Sequence, residues 1–270
     1  MMPICPLCDS KKYHEIKMDR CIVYQCNSCT LEYINDQEYK IDNDYLKNYN
    51  KVRNEKSTSS KLRQIQYTLD AKHFSQNVSQ GNVLDVGCST GDFLNILSQK
   101  PDLRLFGIDT DKDAISTAKI KCNSEINFLN TDLINYQTNL KFDCIIFRGS
   151  FQFLGSDLKE TLNKISEISS KNTKIIIYSL PNSDSILYYF LKDKWNLFDE
   201  FSHTLIFNKT SLMKLCKLYK YKIQEFSYPY LETAYANQAN DYESLIQLIN
   251  GEKKDSFPFL GNIIQVVLEK

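Results

Sequence analysis

From residue 82 onward the apolar and polar positions alternate between two rhythms. Short, mostly apolar runs at Asn82–Val86, Arg104–Ile108, Ile126–Leu129, Phe142–Phe147 and Lys174–Leu180 read as buried strands. Between them apolar residues return every three or four positions, the spacing of one helix face. Examples are Phe93, Leu94 and Leu97, then Ala114, Ile115 and Ala118, then Leu158, Leu162, Ile165 and Ile168, with Ser156 as the cap of the last. A further helix through Leu212, Leu215 and Leu218 precedes strands at Ile223–Tyr228 and Ile263–Leu268. Strands alternating with helices predict an α/β fold whose sheet is mostly parallel and covered on both faces. Upstream, a helix over 57–76 starts at Ser57, Thr58 or Ser59, turns Leu62, Ile65 and Leu69 inward and stops before Gly81. Within 231–260, Tyr242, Leu245, Ile246 and Ile249 form an amphipathic stripe, either a lid or a dimer interface.

The first 35 residues follow another pattern. Cys5-Pro-Leu-Cys8 and Cys26-Asn-Ser-Cys29 are two C-x-x-C knuckles with 17 residues between them, around β-like stretches at Tyr13–Lys17 and Ile22–Gln25. Four thiolates so arranged suit the closed tetrahedron of structural zinc, with no position left for catalysis. The chain has nine cysteines, an odd count that does not make a disulfide framework. Cys21 is then the spare thiol of this module, with a core role. The layout expected is a zinc ribbon over 1–35, a linker with helices over 36–80 and the α/β domain over 81–270.

The first strand of that domain runs into Asp85-Val86-Gly87-Cys88-Ser89-Thr90-Gly91, then Asp92-Phe93-Leu94. Strand, tight glycine turn and helix start together cradle a nucleoside-containing ligand. A dinucleotide fingerprint would read G-x-G-x-x-G. Here the spacing is D-x-G-x-x-x-G, and it resembles the first motif of the class I S-adenosylmethionine-dependent methyltransferases, whose ligand carries a cationic sulfonium and an ammonium group. The resemblance implies a seven-stranded Rossmann-like sheet closed by an antiparallel pair. It implies S-adenosylmethionine held by Asp85, Gly87, Cys88, Gly91 and Phe93. Asp109, 22 residues past Gly87, is implied to meet the ribose hydroxyls, with Thr110 beside it. Asp132 would meet the adenine amino group and Leu133 its ring, and Arg148 ends the fourth strand in the same set. The residues alone leave Asp109 open as a helix N-terminal acid, a role Asp111 fits better, and Asp132 open as a turn acid.

Pro181-Asn182-Ser183, Trp195, His203, Phe207 and Thr210-Ser211-Leu212 extend the likeness to bacterial methyltransferases that carry an N-terminal zinc ribbon and modify sugars or other small metabolites. Members often carry a histidine where Phe153 follows Gln152, and its lack argues against sugar C-methylation. His203 is the candidate base for a hydroxyl acceptor; a structural histidine beside Trp195, Phe198 and Phe201 is the alternative, and Asp199 and Glu200 are fallback bases. Tyr45 and Tyr49, four apart on a short helix around 44–50, and Gln152 are candidate acceptor contacts.

Composition narrows the partners. Lys and Arg number 33, as do Asp and Glu, so no net field draws nucleic acid or an anionic membrane. No apolar run approaches the length of a spanning helix, and a cytoplasmic monomer or homodimer is expected. The leading expectation is O-methylation of a small acceptor, nucleotide-activated sugars and capsule or lipopolysaccharide precursors included. Its rivals are an RNA methyltransferase docking through the ribbon and a non-catalytic S-adenosylmethionine-binding module.

Overall fold

β1 (Tyr13–Lys17), β2 (Ile22–Cys26) and β3 (Glu32–Ile34) open the chain as an antiparallel meander, with Tyr13 opposite Cys26 and Val23 opposite Ile34. The computed structural model describes residues 2–18, 21–35, 57–192, 195, 197, 204–250 and 261–270. After α1 (Ser57–Asn77) come β4 (Gly81–Val86), α2 (Asp92–Leu97), β5 (Leu103–Asp109), α3 (Lys112–Lys121), β6 (Asn127–Asn130) and β7 (Phe142–Arg148). Then follow α4 (Leu158–Ile168), β8 (Ser169–Pro181), α5 (Ile186–Leu191), β9 (Leu205–Ile206), α6 (Lys209–Tyr219), β10 (Lys222–Ser227), α7 (Gln238–Ile249) and β11 (Ile263–Glu269).

The main sheet has seven strands in the order β10-β11-β8-β7-β4-β5-β6. β8, β7, β4, β5 and β6 are parallel, and β11 runs antiparallel to both β8 and β10. The chain winds outward from β4 through β5 and β6, then crosses back to β7. A crevice therefore opens beyond the carboxyl end of β4, where the winding reverses. Cys144, Ile145, Ile146 and Phe147 of β7 are all fully buried, as a central strand covered on both faces requires. Leu158, Leu162, Ile165 and Ile168 form the buried stripe of α4. Among the described residues no helix is long and apolar enough to cross a membrane.

Two local expectations are corrected. A 3-10 turn over Gly155–Asp157 takes up the residues before α4, so Asp157 and not Ser156 stands at its N-cap. On α1 the buried face is not the Leu62, Ile65 and Leu69 stripe: Ile65 is 44% exposed, while Gln66, Tyr67, Asp70, Ala71 and Phe74 are buried. That face includes polar residues because it is hydrogen-bonded to the sheet, which an apolar stripe cannot reveal.

The N-terminal meander does not stand alone. β9, from the far side of the chain, pairs antiparallel with β3, setting Glu32 opposite Ile206 and Tyr33 opposite Leu205. The Tyr188 hydroxyl of α5 donates to Glu32 Oε2 at 2.6 Å, and Thr30 Oγ1 donates to Asn208 Oδ1 at 2.9 Å. Cys21 is buried with Val23, Ile34, Leu187, Trp195 and Ile206 in the shared core of this joint.

Candidate functional site

Beyond β4 the backbone turns sharply. Gly87 has φ +80°, and a Cβ added there would lie 2.7 Å from the Ser150 Cβ. Gly91 has φ +75° and heads α2, where an added Cβ would meet the Phe128 ring at 2.6 Å. Both positions need glycine for conformation and for space. The Gly87 and Cys88 amides donate to the Ile108 carbonyl at 2.9 and 3.0 Å, pinning the turn to the end of β5. Cys88, within the turn, and Phe93, on the first turn of α2, are both buried, the Phe93 ring against Tyr67, Phe74 and Tyr178. Burial pushes the Cys88 thiol well above its ordinary range.

Beneath this turn lies Asp85, 2% exposed, with its Oδ1 buried and unpartnered among the described residues. Burial pushes its carboxyl up to about 7; the Arg148 charge opposes this and the Asp109 charge adds to it. A buried acceptor without a donor is costly unless a ligand satisfies it.

Asp109 accepts from the Ser89 amide at 2.7 Å through Oδ2 and from the Asp111 amide at 2.9 Å through Oδ1. It therefore ties the glycine turn to the end of β5 and keeps further lone pairs for hydroxyl donors. Asp111, as expected, is the N-cap of α3, accepting from the amides of Asp113 and Ala114. Thr110 is exposed beside them. Asp132 has the turn role: it accepts from the Asn135 amide at 2.8 Å and the Asn135 side chain at 2.7 Å. Burial pushes its carboxyl up, but these donors outweigh burial and hold it below the usual range. Leu133 is only 3% exposed and packs into the core at the end of this turn.

Arg148 is engaged within the fold. Its Nε donates to Asp70 Oδ2 at 2.7 Å, and its guanidinium lies 4.0 Å from the Tyr67 ring centroid. Gln66 Nε2 donates to Asp70 Oδ1 at 2.7 Å. Further along α1, His73 bridges the Tyr178 hydroxyl (2.9 Å) and Glu225 (2.9 Å). The bracket of Gln66, Tyr67, Asp70, His73, Tyr178 and Glu225 has no sequence motif. A polar residue every three or four positions on α1, at 66, 70 and 73, is the only signal it leaves.

Gln152 is 4% exposed after β7; its Nε2 donates to the Gly149 carbonyl at 3.1 Å, and its Oε1 is buried without a partner among the described residues. Ser183 Oγ, just beyond β8, is likewise buried and without a partner among the described residues. His203, Tyr45 and Tyr49 lie outside the described residues, as do the helix around 44–50 and Phe198, Asp199, Glu200 and Phe201.

At the N-terminus the sulfurs of Cys5, Cys8, Cys26 and Cys29 all lie within 4.8 Å of one another. Cys5 and Cys29 are 3.6 Å apart, Cys8 and Cys26 3.5 Å. A zinc tetrahedron with Zn–S near 2.3 Å has edges of about 3.8 Å, so the four thiols fit that ion.

Sheet order, glycine turn and the acid ending β5 define the fold of a class I methyltransferase. Residues 59–225, more than half of the chain, match the family described as "Methyltransferase domain", and the chain belongs to that family. The carboxy-S-adenosyl-L-methionine synthase of Campylobacter hominis is 39% identical over 80 residues, 28% of this chain and 33% of that protein. The malonyl-[acyl-carrier protein] O-methyltransferase of Acetivibrio thermocellus is 33% identical over 103 residues, 37% of this chain and 36% of that protein. The chain thus spans about a third of the length of these two relatives. Among solved structures, the plantazolicin methyltransferase BpumL, in complex with a triazolic analog and SAH, superposes with a TM-score of 0.57. It is 21% identical, over 85% of this chain and 92% of that one. The N-methyltransferase NodS of Bradyrhizobium japonicum gives 0.51 at 14% identity, over 77% and 96%. At these identities the structures speak for the fold.

Proposed function

We propose that the chain transfers a methyl group from S-adenosylmethionine to a hydroxyl of a small acceptor. The unpartnered Asp85 oxygen beneath the glycine turn carries this reading, because a buried carboxylate lacking a donor calls for a cationic ligand group. Asp85 would receive the positive amino-acid end, Asp109 the ribose hydroxyls, and the remaining lone pairs of Asp132 the adenine amine. Gly87 and Gly91 let the turn pack directly against Ser150 and Phe128, where any Cβ would collide. Arg148 would act as a bracket holding α1 against the site. When bound, the cofactor supplies an electrophilic methyl carbon and a neutral thioether leaving group.

The chain's own work is to align the acceptor and exclude water. Gln152 Oε1 and Ser183 Oγ, at the carboxyl ends of β7 and β8, supply uncharged hydrogen-bonding groups suited to a hydroxyl-bearing acceptor. His203 is proposed to take the hydroxyl proton during attack. Activated sugars and polysaccharide precursors are the acceptor class put forward, with support from the order of residues 181–212 in the sequence. O-methylation by the malonyl-[acyl-carrier protein] relatives accords with an oxygen acceptor. The four clustered cysteines are proposed to hold structural zinc.

Calorimetric titration of zinc-loaded protein with S-adenosylhomocysteine tests the cofactor site, and absence of binding would refute it. Transfer of tritiated methyl groups into the small-molecule fraction of a source-cell extract tests the acceptor class. Label confined to RNA would overturn that part.

A further inference from the structure

α5 and α7 flank a pocket of about 300 Å³ walled by Ile186, Leu187, Tyr230, Tyr242 and Leu245, with Gln238 and Asp241 as its polar lining. Its place in the fold follows from strand direction. β8 leaves the sheet at Pro181 and leads into α5. β10 is parallel to β8, because both are antiparallel to β11, so it ends at the same edge before Tyr230. The elements that line the pocket therefore follow strand ends at the carboxyl edge of the sheet, the edge that carries Gly87, Asp109 and Gln152.

Of the two polar lining residues, Asp241 is already engaged at the rim. The Tyr230 hydroxyl donates to Asp241 Oδ2 at 2.6 Å, and the Asn237 amide donates to the same oxygen at 3.2 Å. Thr233 Oγ1 closes back on the Tyr230 carbonyl at 2.7 Å. The rim is also tied to the cofactor side: the Ala234 amide donates to Gln66 Oε1 at 2.9 Å, and Gln66 holds the Asp70 carboxylate that pairs with Arg148. What faces the pocket is mainly aliphatic and aromatic. Its floor is the fully buried Leu187, and its lip includes Tyr242, 68% exposed. The volume admits about ten non-hydrogen atoms at the roughly 30 Å³ each takes in a condensed phase, and it stands at the small end of ligand pockets.

We propose that this pocket is the apolar subsite for the methyl acceptor, which carries an uncharged alkyl or aryl group beside its reacting hydroxyl. The proposal rests on the methyl-transfer reading and adds the acceptor's amphipathic character to it. A concave site of this size at the reaction edge suits a small-molecule substituent better than a protein face.

The test uses the full chain saturated with S-adenosylhomocysteine and titrated with methyl, hexyl and octyl β-D-glucoside below micelle-forming concentrations. Affinity should rise at least tenfold from methyl to octyl. Tyr242→Ala, at a position 68% exposed, should remove most of that rise with the melting temperature unchanged, and Leu245→Asp all of it. Neither substitution should alter S-adenosylhomocysteine affinity. Equal affinity across the glucosides would overturn the subsite while leaving the cofactor reading intact. So would a wild-type dimer that Tyr242→Ala converts to monomer, because a second copy would then occupy the pocket. Failure to bind S-adenosylhomocysteine at all would remove both.

Discussion

Asp85 is the residue through which the cofactor reading can be tested most directly, because its buried position makes ligand binding depend on pH. Burial pushes its carboxyl up to about 7, well above an ordinary aspartate. The cofactor-free protein therefore holds a proton there between about pH 4 and pH 7 that the unfolded chain has released. The contribution of this group to stability is full below about pH 4 and is lost as pH rises through 7. A cationic ligand group needs the ionised form, so binding must expel that proton. Affinity should follow the ionised fraction, which is about one in eleven at pH 6.0 and about three in four at pH 7.5. S-adenosylhomocysteine should therefore bind about eightfold more weakly at pH 6.0 than at 7.5, a difference of about 1.2 kcal/mol. Calorimetry in two buffers of different ionisation enthalpy should show nearly one proton released per ligand at pH 6.0. Asp85→Asn should cost about 10- to 100-fold at pH 7.5, the value of a hydrogen bond to a charged group, and should flatten the pH dependence. A wild-type affinity that does not change between pH 6.0 and 7.5, or an Asp85→Asn protein with the wild-type slope, would refute the reasoning.

Gly87→Ala forces a positive φ on alanine and a 2.7 Å contact with Ser150, so it should cost on the order of 1–3 kcal/mol and abolish S-adenosylhomocysteine binding; calorimetry and thermal melting check it. Asp109→Ala removes the acceptor that tethers the Ser89 amide and should weaken binding by more than tenfold; unchanged affinity would move the ribose site elsewhere. Burial pushes the Glu32 carboxyl up despite hydrogen bonds from Tyr188 and Gln25, so its contribution to stability falls as pH rises from the ordinary glutamate range. Glu32→Gln should make denaturation midpoints fall less between pH 5 and 8, and a steeper fall would contradict the reading. Cys8→Ser should release zinc, measured by elemental analysis, and lower the melting temperature of the whole chain.

Much of the α/β core was legible because a doubly covered sheet writes its strands as apolar runs. The turn at Asp85–Gly91 was legible for a different reason: a positive φ at Gly87 and Gly91 admits few other residues, so the backbone leaves its mark on the sequence. Where hydrogen bonds between distant segments do the work, the sequence was mute. Periodicity turned Leu62, Ile65 and Leu69 inward, yet α1 buries Gln66 and Asp70 because Arg148 and Ala234, far along the chain, supply their partners. Arg148 shows the same limit: its place at the end of β7 was visible in the sequence, and its Asp70 partner on α1 was not. β9 is two residues long, and its pairing to β3 depends on a strand 171 positions earlier, the separation of Leu205 from Ile34.

That pairing changes how the ribbon itself should be regarded. A ribbon used as a separate docking arm would be expected to present its outer strand to a partner. Here β3 is covered by β9, and Glu32 is buried under the Tyr188 hydroxyl. The segment that covers it lies between β8 and α6, the same stretch that carries Ser183 and the α5 wall of the apolar pocket. Asn208 connects the two sides twice over: it accepts from Thr30 at the ribbon and, through its capping box with Ser211, starts α6. Loosening the cysteine cluster should therefore disturb the acceptor edge before it disturbs the glycine turn, which is built from β4, β5 and β7. In the Cys8→Ser protein, S-adenosylhomocysteine affinity at low temperature should stay within about threefold of wild type, under 1 kcal/mol, while the preference for octyl over methyl β-D-glucoside collapses. Equal loss at both sites would mean that the ribbon supports the fold as a whole and has no special tie to the acceptor edge.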